Sequence, residues 1–245
     1  MIKAVILAAG RGSRLGHLTN DRPKGLVELD GKSLLEWQCK ALYGCGISEI
    51  SVVTGYLSHK IERLGFKTIY NDNWENSNMV ASIKLALDQI EGPLIFSYSD
   101  IVYHPDIVKK LLSEDSSFAI AYDPNWLSLW QQRFENPLSD AETFLIDSNR
   151  WITQIGKKSS LYSNMQGQFM GLFKVGITAR ISIENFLTFN PELINSLDTT
   201  TLLSLLLEKG NSLRGVPLDS YWCEIDSLSD LKIAKTLVES GKLKC

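Results

Sequence analysis

The sequence contains little that would bind a structural metal, a membrane or a nucleic acid. Its 245 residues include 4 cysteines and 3 histidines, with no C-x-x-C pair, so a zinc site is not expected. The formal net charge is −3 and no cluster of lysine and arginine stands out, which argues against a nucleic-acid partner. Arg11 and Arg14 interrupt the apolar start of the chain long before it could span a membrane, so no membrane partner is expected.

The cysteines indicate a reducing compartment. Cys39 and Cys45 lie in an apolar helical pattern and are predicted to be packed thiols, while Cys223 and Cys245 stand apart in the sequence. Reduced thiols, together with the lack of a signal peptide, predict a cytoplasmic protein.

The composition predicts a folded chain with a sizeable core, since 44% of the residues are hydrophobic and 22% are charged. Strands and helices alternate through residue 115, which predicts an α/β fold with a Rossmann-like, doubly wound, mixed but mainly parallel sheet. The strands predicted there are Ile2 to Ala8, Glu49 to Thr54, Lys67 to Tyr70 and Pro93 to Tyr98. Helices are predicted after the capping box Ser33–Glu36, over Ala81 to Ile90, and from His104-Pro105.

The pattern changes between Asp123 and Lys174. Turn residues, tryptophans and short alternating strands predict a small, partly antiparallel, substrate-facing section. Its predicted strands are Thr143 to Ile146, Trp151 to Ile155 and Phe169 to Val175, and two helices, near Thr199 to Glu208 and Leu228 to Glu239, are predicted to close the chain.

A glycine-rich loop follows the first strand. Gly10, Gly12 and Gly16 let backbone N–H groups approach phosphate oxygens, and Arg14 adds a forked donor suited to phosphate. The spacing G-x-G-x-x-x-G does not match the dinucleotide fingerprint, and no G-x-x-x-x-G-K-[ST] P-loop exists. From the glycines alone, a phosphate-binding loop and a plain strand-to-helix turn stay equally open.

A second basic element lies at Pro23 and Lys24. The proline stiffens the backbone beside the lysine and gives its ammonium a defined direction, although a solvated surface lysine is the commoner arrangement.

Three motifs taken together resemble the start of the NTP-transferase superfamily. They are L-A-A-G-x-G-x-R-L from Leu7, P-K-x-L-V from Pro23 and D-G-K-x-L-L-E-W from Asp30. Ser99-Asp100 and the segment 224–227 resemble the two metal-binding positions of that superfamily. The segments 76–82 and 222–226 look most like the phosphocholine cytidylyltransferase branch.

The resemblance implies one nucleotidyltransferase domain over residues 1–245, with a nucleotide-binding half at 1–115 and an acceptor-binding half at 116–245. It implies that an acceptor phosphate or phosphonate oxygen attacks the α-phosphorus of an NTP, CTP being favoured, and that pyrophosphate leaves. Arg14 and Lys24 are the implied catalytic residues. The implied nucleotide-binding residues are Leu7, Ala8, Ala9, Gly10, Gly12, Ser13 and Ser82.

The implied cofactor is Mg²⁺, held by Asp100 and Asp226 at the carboxyl ends of two neighbouring strands. Each aspartate has another interpretation from the sequence alone. Asp226 precedes Ser227 and the last predicted helix, so it could cap that helix instead. Asp100 is less open to that interpretation, because the next helix starts several residues later at Pro105.

The acceptor is expected to be a small, amino-bearing phosphorylated metabolite. Lysine stands at 157, where nucleotide-sugar enzymes typically carry glutamate, which weakens a hexose-phosphate acceptor. The candidate acceptor residues are Lys157, Lys158, Asp140, Glu142 and Trp126, the last as an aromatic face for a cation. Core packing of the tryptophan and a solvated turn at 140–142 are the alternatives for these residues.

Three other functions stay open at this point. A sugar-1-phosphate nucleotidyltransferase would use another NTP, and a non-catalytic regulatory module would bind nucleotide without turnover. A glycosyltransferase is disfavoured because Asp100-Ile101-Val102 lacks the second acid of a D-x-D site. The oligomeric state is not readable from the sequence, and a homodimer is one alternative.

Overall fold

The computed structural model describes residues 1–244, so Cys245 lies outside the described residues. Within them, the strands are β1 (Lys3–Ala8), β2 (Glu28–Leu29), β3 (Lys32–Ser33), β4 (Ile50–Thr54), β5 (Lys67–Tyr70), β6 (Leu94–Tyr98), β7 (Ile101–Tyr103), β8 (Phe118–Asp123), β9 (Phe144–Ile146), β10 (Ile152–Ile155), β11 (Gln168–Val175), β12 (Arg214–Pro217) and β13 (Trp222–Glu224). The α-helices are α1 (Leu34–Tyr43), α2 (Ser58–Glu62), α3 (Met79–Gln89), α4 (Pro105–Ser113), α5 (Trp126–Arg133), α6 (Ile177–Phe189), α7 (Thr199–Glu208) and α8 (Leu228–Glu239). None of these helices is both long and apolar enough to cross a membrane.

A seven-stranded sheet organises the chain in the order β12-β8-β11-β6-β1-β4-β5. The pairs β1–β4, β1–β6, β4–β5 and β12–β8 are parallel, whereas β11 runs antiparallel to both of its neighbours. The predicted mixed, mainly parallel, Rossmann-like sheet is therefore confirmed. The chain moves from β1 to β4 and β5 on one side and to β6 on the other, so the strand order reverses at β1.

Helices cover both faces of the sheet, and β1 shows why its sequence is continuously apolar. Ala4, Ile6 and Ala8 belong to one core cluster, while Val5 and Leu7 belong to the other. Successive side chains of a strand point to opposite faces, so a strand covered on both sides buries every one of them.

The local signals of the first half are confirmed. The Ser33 hydroxyl accepts a hydrogen bond from the Glu36 N–H (3.2 Å) and the Glu36 carboxylate accepts one from the Ser33 N–H (2.7 Å), which completes the capping box of α1. Helix α4 starts at Pro105, which occupies its first turn as predicted, and the His104 side chain caps the helix. Helix α3 begins at Met79, two residues before the predicted start.

The second half differs from the prediction in the position of one strand and in several elements that were not predicted. The strand expected at Phe169 to Val175 exists as β11, but it lies in the middle of the central sheet instead of in a separate section. Strand β8 and helices α5 and α6 were not predicted. Helix α6 was missed because its sequence is rich in β-branched residues, which have low helix propensity, and packing of Ala179, Ile183 and Leu187 outweighs that propensity.

Candidate active site

A cavity of about 210 Å³ opens at the carboxyl ends of β1, β5 and β6, where the strand order reverses. Ligands bind at this position in open α/β sheets. The cavity is lined by Leu7, Ala9, Gly10, Gly12, Lys24, Asn71, Trp74, Ser77, Asn78, Met79, Ser82, Ser99 and Asp100. Most of the predicted nucleotide-binding residues are among them. Ala8 and Ser13 belong to the same stretch of chain, but Ala8 is packed in the core and Ser13 is exposed.

Gly12 is required by its contact with Lys24. Its φ is +72°, in the left-handed region that side chains rarely adopt, and an added Cβ would lie 2.7 Å from the Lys24 Cβ and Cδ atoms. The glycine loop therefore packs directly on the aliphatic stem of the lysine. The glycine loop and Lys24, which the sequence analysis treated separately, therefore belong to one site.

Lys24 is buried, which excludes the solvated-surface alternative. Its ammonium lies 2.6 Å from Asp100 Oδ2 and also contacts Asp226 Oδ1. Burial alone would lower the pKa of Lys24, but attraction by Asp100 and Asp226 outweighs it, so the pKa is raised and the lysine carries its charge at neutral pH.

The sequence predicted that Asp100 and Asp226 follow neighbouring strands, but β6 and β13, which these residues follow, are not neighbours because they belong to different sheets. A local ladder brings the two aspartates together instead. Strand β13 pairs antiparallel with β7, which follows Asp100 directly, and the Ile225 N–H donates to the Asp100 carbonyl (2.8 Å). Asp226 does not cap the last helix. Ser227 is the N-cap of α8, and Asp230 completes its capping box.

Glu224 joins these two aspartates, so that one carboxylate oxygen from each of the three lies within 4.8 Å of the others. Asp100 Oδ1 is buried and accepts no hydrogen bond from any group in residues 1–244. Carboxylate oxygens are the hard ligands that Mg²⁺ prefers, so this set fits a divalent cation. Glu224 was missed in the sequence, although it lies in the motif that suggested the branch.

Two arginines complete the charges of the site. Arg14 is 69% exposed and reaches Asp226 Oδ2 at 2.8 Å. Arg133, from α5, is only 1% exposed and contacts Glu224 Oε2 at 2.6 Å and Asp230 Oδ1 at 3.0 Å. Burial raises the pKa of Glu224 to about 7 even with Arg133 beside it, and the negative neighbours act in the same direction as burial. We call Lys24, Asp100, Arg133, Glu224 and Asp226 the charged cluster.

A neutral polar group faces the same cavity. Asn71 follows β5 and its side-chain nitrogen donates to the hydroxyls of Ser77 (3.1 Å) and Ser82 (3.4 Å). Ser82 was predicted to contact nucleotide, whereas Asn71 and Ser77 were not. We call these three residues the amide–hydroxyl group.

The predicted acceptor residues do not line this cavity. Lys157 pairs with Glu208 at 3.1 Å on the surface, and Lys158 donates to the Asp140 carbonyl (2.7 Å). Trp126 is buried, and its indole N–H donates to the Met165 carbonyl (3.0 Å), so the packing alternative describes it.

The two acidic candidates of that set have local partners. The Asp140 carboxylate accepts a hydrogen bond from the Trp130 indole (3.0 Å). Glu142 is half-buried, and burial raises its pKa although a hydrogen bond with Thr200 acts against that shift.

The MobA-like NTP transferase domain model matches residues 4–151, which is more than half of the chain. This chain is a member of the MobA-like NTP transferase family. The predicted superfamily and the prediction of a nucleotidyltransferase enzyme are thereby confirmed, and the glycine loop, Lys24 and Asp100 all lie within the matched residues.

One relative matches this NTP transferase over almost the full length of both chains, and another matches it over less than half. It is 36% identical to a CTP:phosphoglutamine cytidylyltransferase of Campylobacter jejuni, over 95% of this chain and 98% of the relative. It is 31% identical to a choline-phosphate cytidylyltransferase of Streptococcus pneumoniae, over 42% of this chain and 46% of the relative. The solved CTP:phosphocholine cytidylyltransferase of S. pneumoniae superposes with a TM-score of 0.74 at 20% identity, covering 97% of this chain and 99% of that one, which shows a shared fold.

Proposed function

We propose that this NTP transferase is a Mg²⁺-dependent cytidylyltransferase that transfers CMP from CTP to a small, amino-bearing phosphorylated metabolite and releases pyrophosphate. The observation that carries the proposal is the buried Lys24, held between Asp100 and Asp226 and packed against Gly12 of the loop. The similarity to the phosphoglutamine enzyme over almost the full length of both chains supports the choice of CTP and of the acceptor class.

The proposed reaction is a direct displacement. An oxygen of the acceptor phosphate forms a bond to the α-phosphorus of CTP, and the bond from that phosphorus to the bridging oxygen of pyrophosphate breaks. The acceptor phosphate is ionised at neutral pH, so no general base is required. Positioning and charge neutralisation supply the rate enhancement in such reactions.

Positively charged groups and carboxylates of the chain would bind different parts of the reacting complex. The loop amides near Gly10 and Gly12 and the exposed Arg14 would bind the leaving pyrophosphate, because both are donors suited to phosphate oxygens. Lys24 would bind the α-phosphate region, where negative charge develops in the transition state. Asp100, Glu224 and Asp226 would hold Mg²⁺. When bound, the ion supplies positive charge that neutralises phosphate oxygens.

The proposal is tested first by measuring pyrophosphate release. CTP, UTP, GTP and dTTP would each be paired with phosphoglutamine, phosphocholine, 2-aminoethylphosphonate and glucose 1-phosphate. We expect release with CTP and an amino-bearing acceptor. Release only with glucose 1-phosphate would identify a sugar nucleotidyltransferase. NTP binding without release from any pair would identify a non-catalytic module.

A second test concerns the metal. Asp226→Asn is expected to keep the fold and to lose both Mg²⁺-dependent turnover and the binding of Mn²⁺ measured by titration calorimetry. Asp219→Asn is the matched control, since Asp219 is exposed and its only ion pair within residues 1–244 is with Lys110 at 3.0 Å. Unchanged Mn²⁺ binding by the folded Asp226 variant would contradict the assignment.

A further inference from the structure

Asn71 is a buried amide whose orientation is fixed by the backbone. It is 2% exposed, and its own N–H donates to the Thr54 carbonyl (2.8 Å) at the end of β4. The Asn73 N–H donates to Asn71 Oδ1 (3.1 Å). A backbone N–H can only donate, so the amide oxygen must face Asn73 and the NH₂ group must face the other way.

The NH₂ group determines the direction of its hydrogen bonds with two hydroxyls. Its two hydrogens go to Ser77 Oγ (3.1 Å) and Ser82 Oγ (3.4 Å), so each hydroxyl acts as an acceptor on that side. Within residues 1–244, neither hydroxyl donates a hydrogen bond to a protein acceptor. Both serines line the cavity. Each hydroxyl therefore has a proton to donate there, and the two donors are close neighbours because they share one amide nitrogen.

We propose that Asn71 is a specificity-determining residue, which makes Ser77 and Ser82 a pair of donors and thereby selects cytosine over uracil. This inference rests on the proposed function, because it assumes that the cavity holds the pyrimidine of an NTP. Cytosine carries two adjacent acceptors on its pairing edge, O2 and N3. Uracil carries a hydrogen on N3, so the hydroxyl that faces it would have to accept with its second lone pair and would leave its own proton without a partner.

The expected discrimination follows from the cost of an unpaired donor. A buried donor without a partner costs enough to change binding by about 10- to 100-fold. The charged cluster cannot supply this discrimination, because CTP and UTP carry the same phosphates. The selection would therefore depend on three neutral side chains, with Asn71 acting through the two serines.

The decisive variant is Asn71→Asp, which keeps the size and the oxygen facing Asn73 but replaces the NH₂ group by an acceptor. The two hydroxyls would then donate to the carboxylate and present lone pairs to the cavity. We expect the CTP-to-UTP ratio of binding constants, measured by titration calorimetry, to fall about 10- to 100-fold. Asn76→Asp adds the same charge at an exposed position of the same segment and is expected to leave the ratio unchanged.

Ser77→Ala and Ser82→Ala test the same inference with Asn71 in place, and they decide it if the Asn71 variant fails to fold in a thermal-unfolding assay. Each is expected to lower the CTP-to-UTP ratio about tenfold by removing one donor. An unchanged ratio in both serine variants, or equal binding of CTP and UTP by the wild type, would overturn the inference. Binding is measured without an acceptor, so selective CTP binding without turnover would contradict the proposed reaction while leaving this inference intact.

Discussion

The two sets of side chains at the cavity use opposite kinds of chemistry. The charged cluster consists of ionisable side chains that are largely shielded from solvent. Lys24 lies between two carboxylates, and Arg133 contacts Glu224. The amide–hydroxyl group carries no charge and consists of donors and acceptors only. Charges bind phosphates and divalent ions strongly but treat all nucleotides alike, whereas the direction of a hydrogen bond distinguishes one base from another. In the two proposals above, strength and selectivity therefore come from separate residues.

The largest effect is expected from Arg133→Met. This change removes the guanidinium that contacts Glu224 and Asp230 and leaves two largely buried carboxylates without the cation beside them. Loss of one member of a buried ion pair typically costs about 3–5 kcal/mol, and we expect the free energy of unfolding in urea to fall by that amount. Arg22→Met removes an exposed guanidinium paired with Asp21 and Glu28, and should cost less than about 1 kcal/mol. Equal losses in the two variants would contradict a structural role of Arg133 in the charged cluster.

Lys24→Ala is expected to lower kcat by about 10² or more, the usual scale for removing a preorganised charge donor. The loss should be the same for CTP and for any other NTP that is turned over, because Lys24 is assigned to phosphate and not to base. Steady-state kinetics with each NTP measures this, with Lys40→Ala on the exposed face of α1 as the control. Near-normal turnover would reject the role of Lys24. A loss confined to CTP would contradict the assignment of phosphate binding to the charged cluster and of base selection to the amide–hydroxyl group.

Gly12→Ala should have a smaller effect that acts through Lys24. The new methyl group would meet the lysine stem at 2.7 Å, and we expect kcat to fall about tenfold as the ammonium is displaced. Gly31→Ala is the matched control, since Gly31 has nearly the same positive φ, +71°, but has open space around it. Both variants place an alanine at nearly the same positive φ, so the difference between their kcat values reports the contact with Lys24.

The smallest effect is expected from Lys157→Ala, which lies outside both sets. The pair between Lys157 and Glu208 is more than half exposed, and its loss should change the free energy of unfolding by less than about 0.5 kcal/mol. The KM for CTP should stay unchanged, which calorimetry and initial-rate kinetics can check together. A rise in KM for the acceptor alone would support the acceptor role expected from the sequence.

Local signals predicted the first half of the fold well because those elements are determined by nearby residues. The capping box of α1 and the apolar run of β1 act within a few positions, so the sequence alone was sufficient. Strand β11 and helix α6 depend on distant partners. Strand β11 pairs with β6 across 75 to 81 positions and with β8 across 45 to 57 positions, and nothing in its own sequence specifies those neighbours.

The residues of the site likewise include some that the sequence predicted and some that it did not. Lys24, Asp100 and Asp226 were predicted because motif resemblance places them, and the structure brings the three side chains together. Arg133 carried no signal, since its partners lie on another element far along the chain. Asn71 looked like an ordinary turn residue after a short strand, and its relation to Ser82 becomes visible only when the start of α3 folds back onto it.

The short ladder between β7 and β13 also has an evolutionary consequence. It joins Asp100 and Asp226 through main-chain hydrogen bonds, although most of the second half of the chain lies between them in sequence. The loops of the intervening segment can therefore change in length and composition without altering the distance between the two aspartates, as long as β8, β11, β12 and Arg133 keep their positions. We expect a change of acceptor to require changes in those loops and not in the ladder that holds the aspartates.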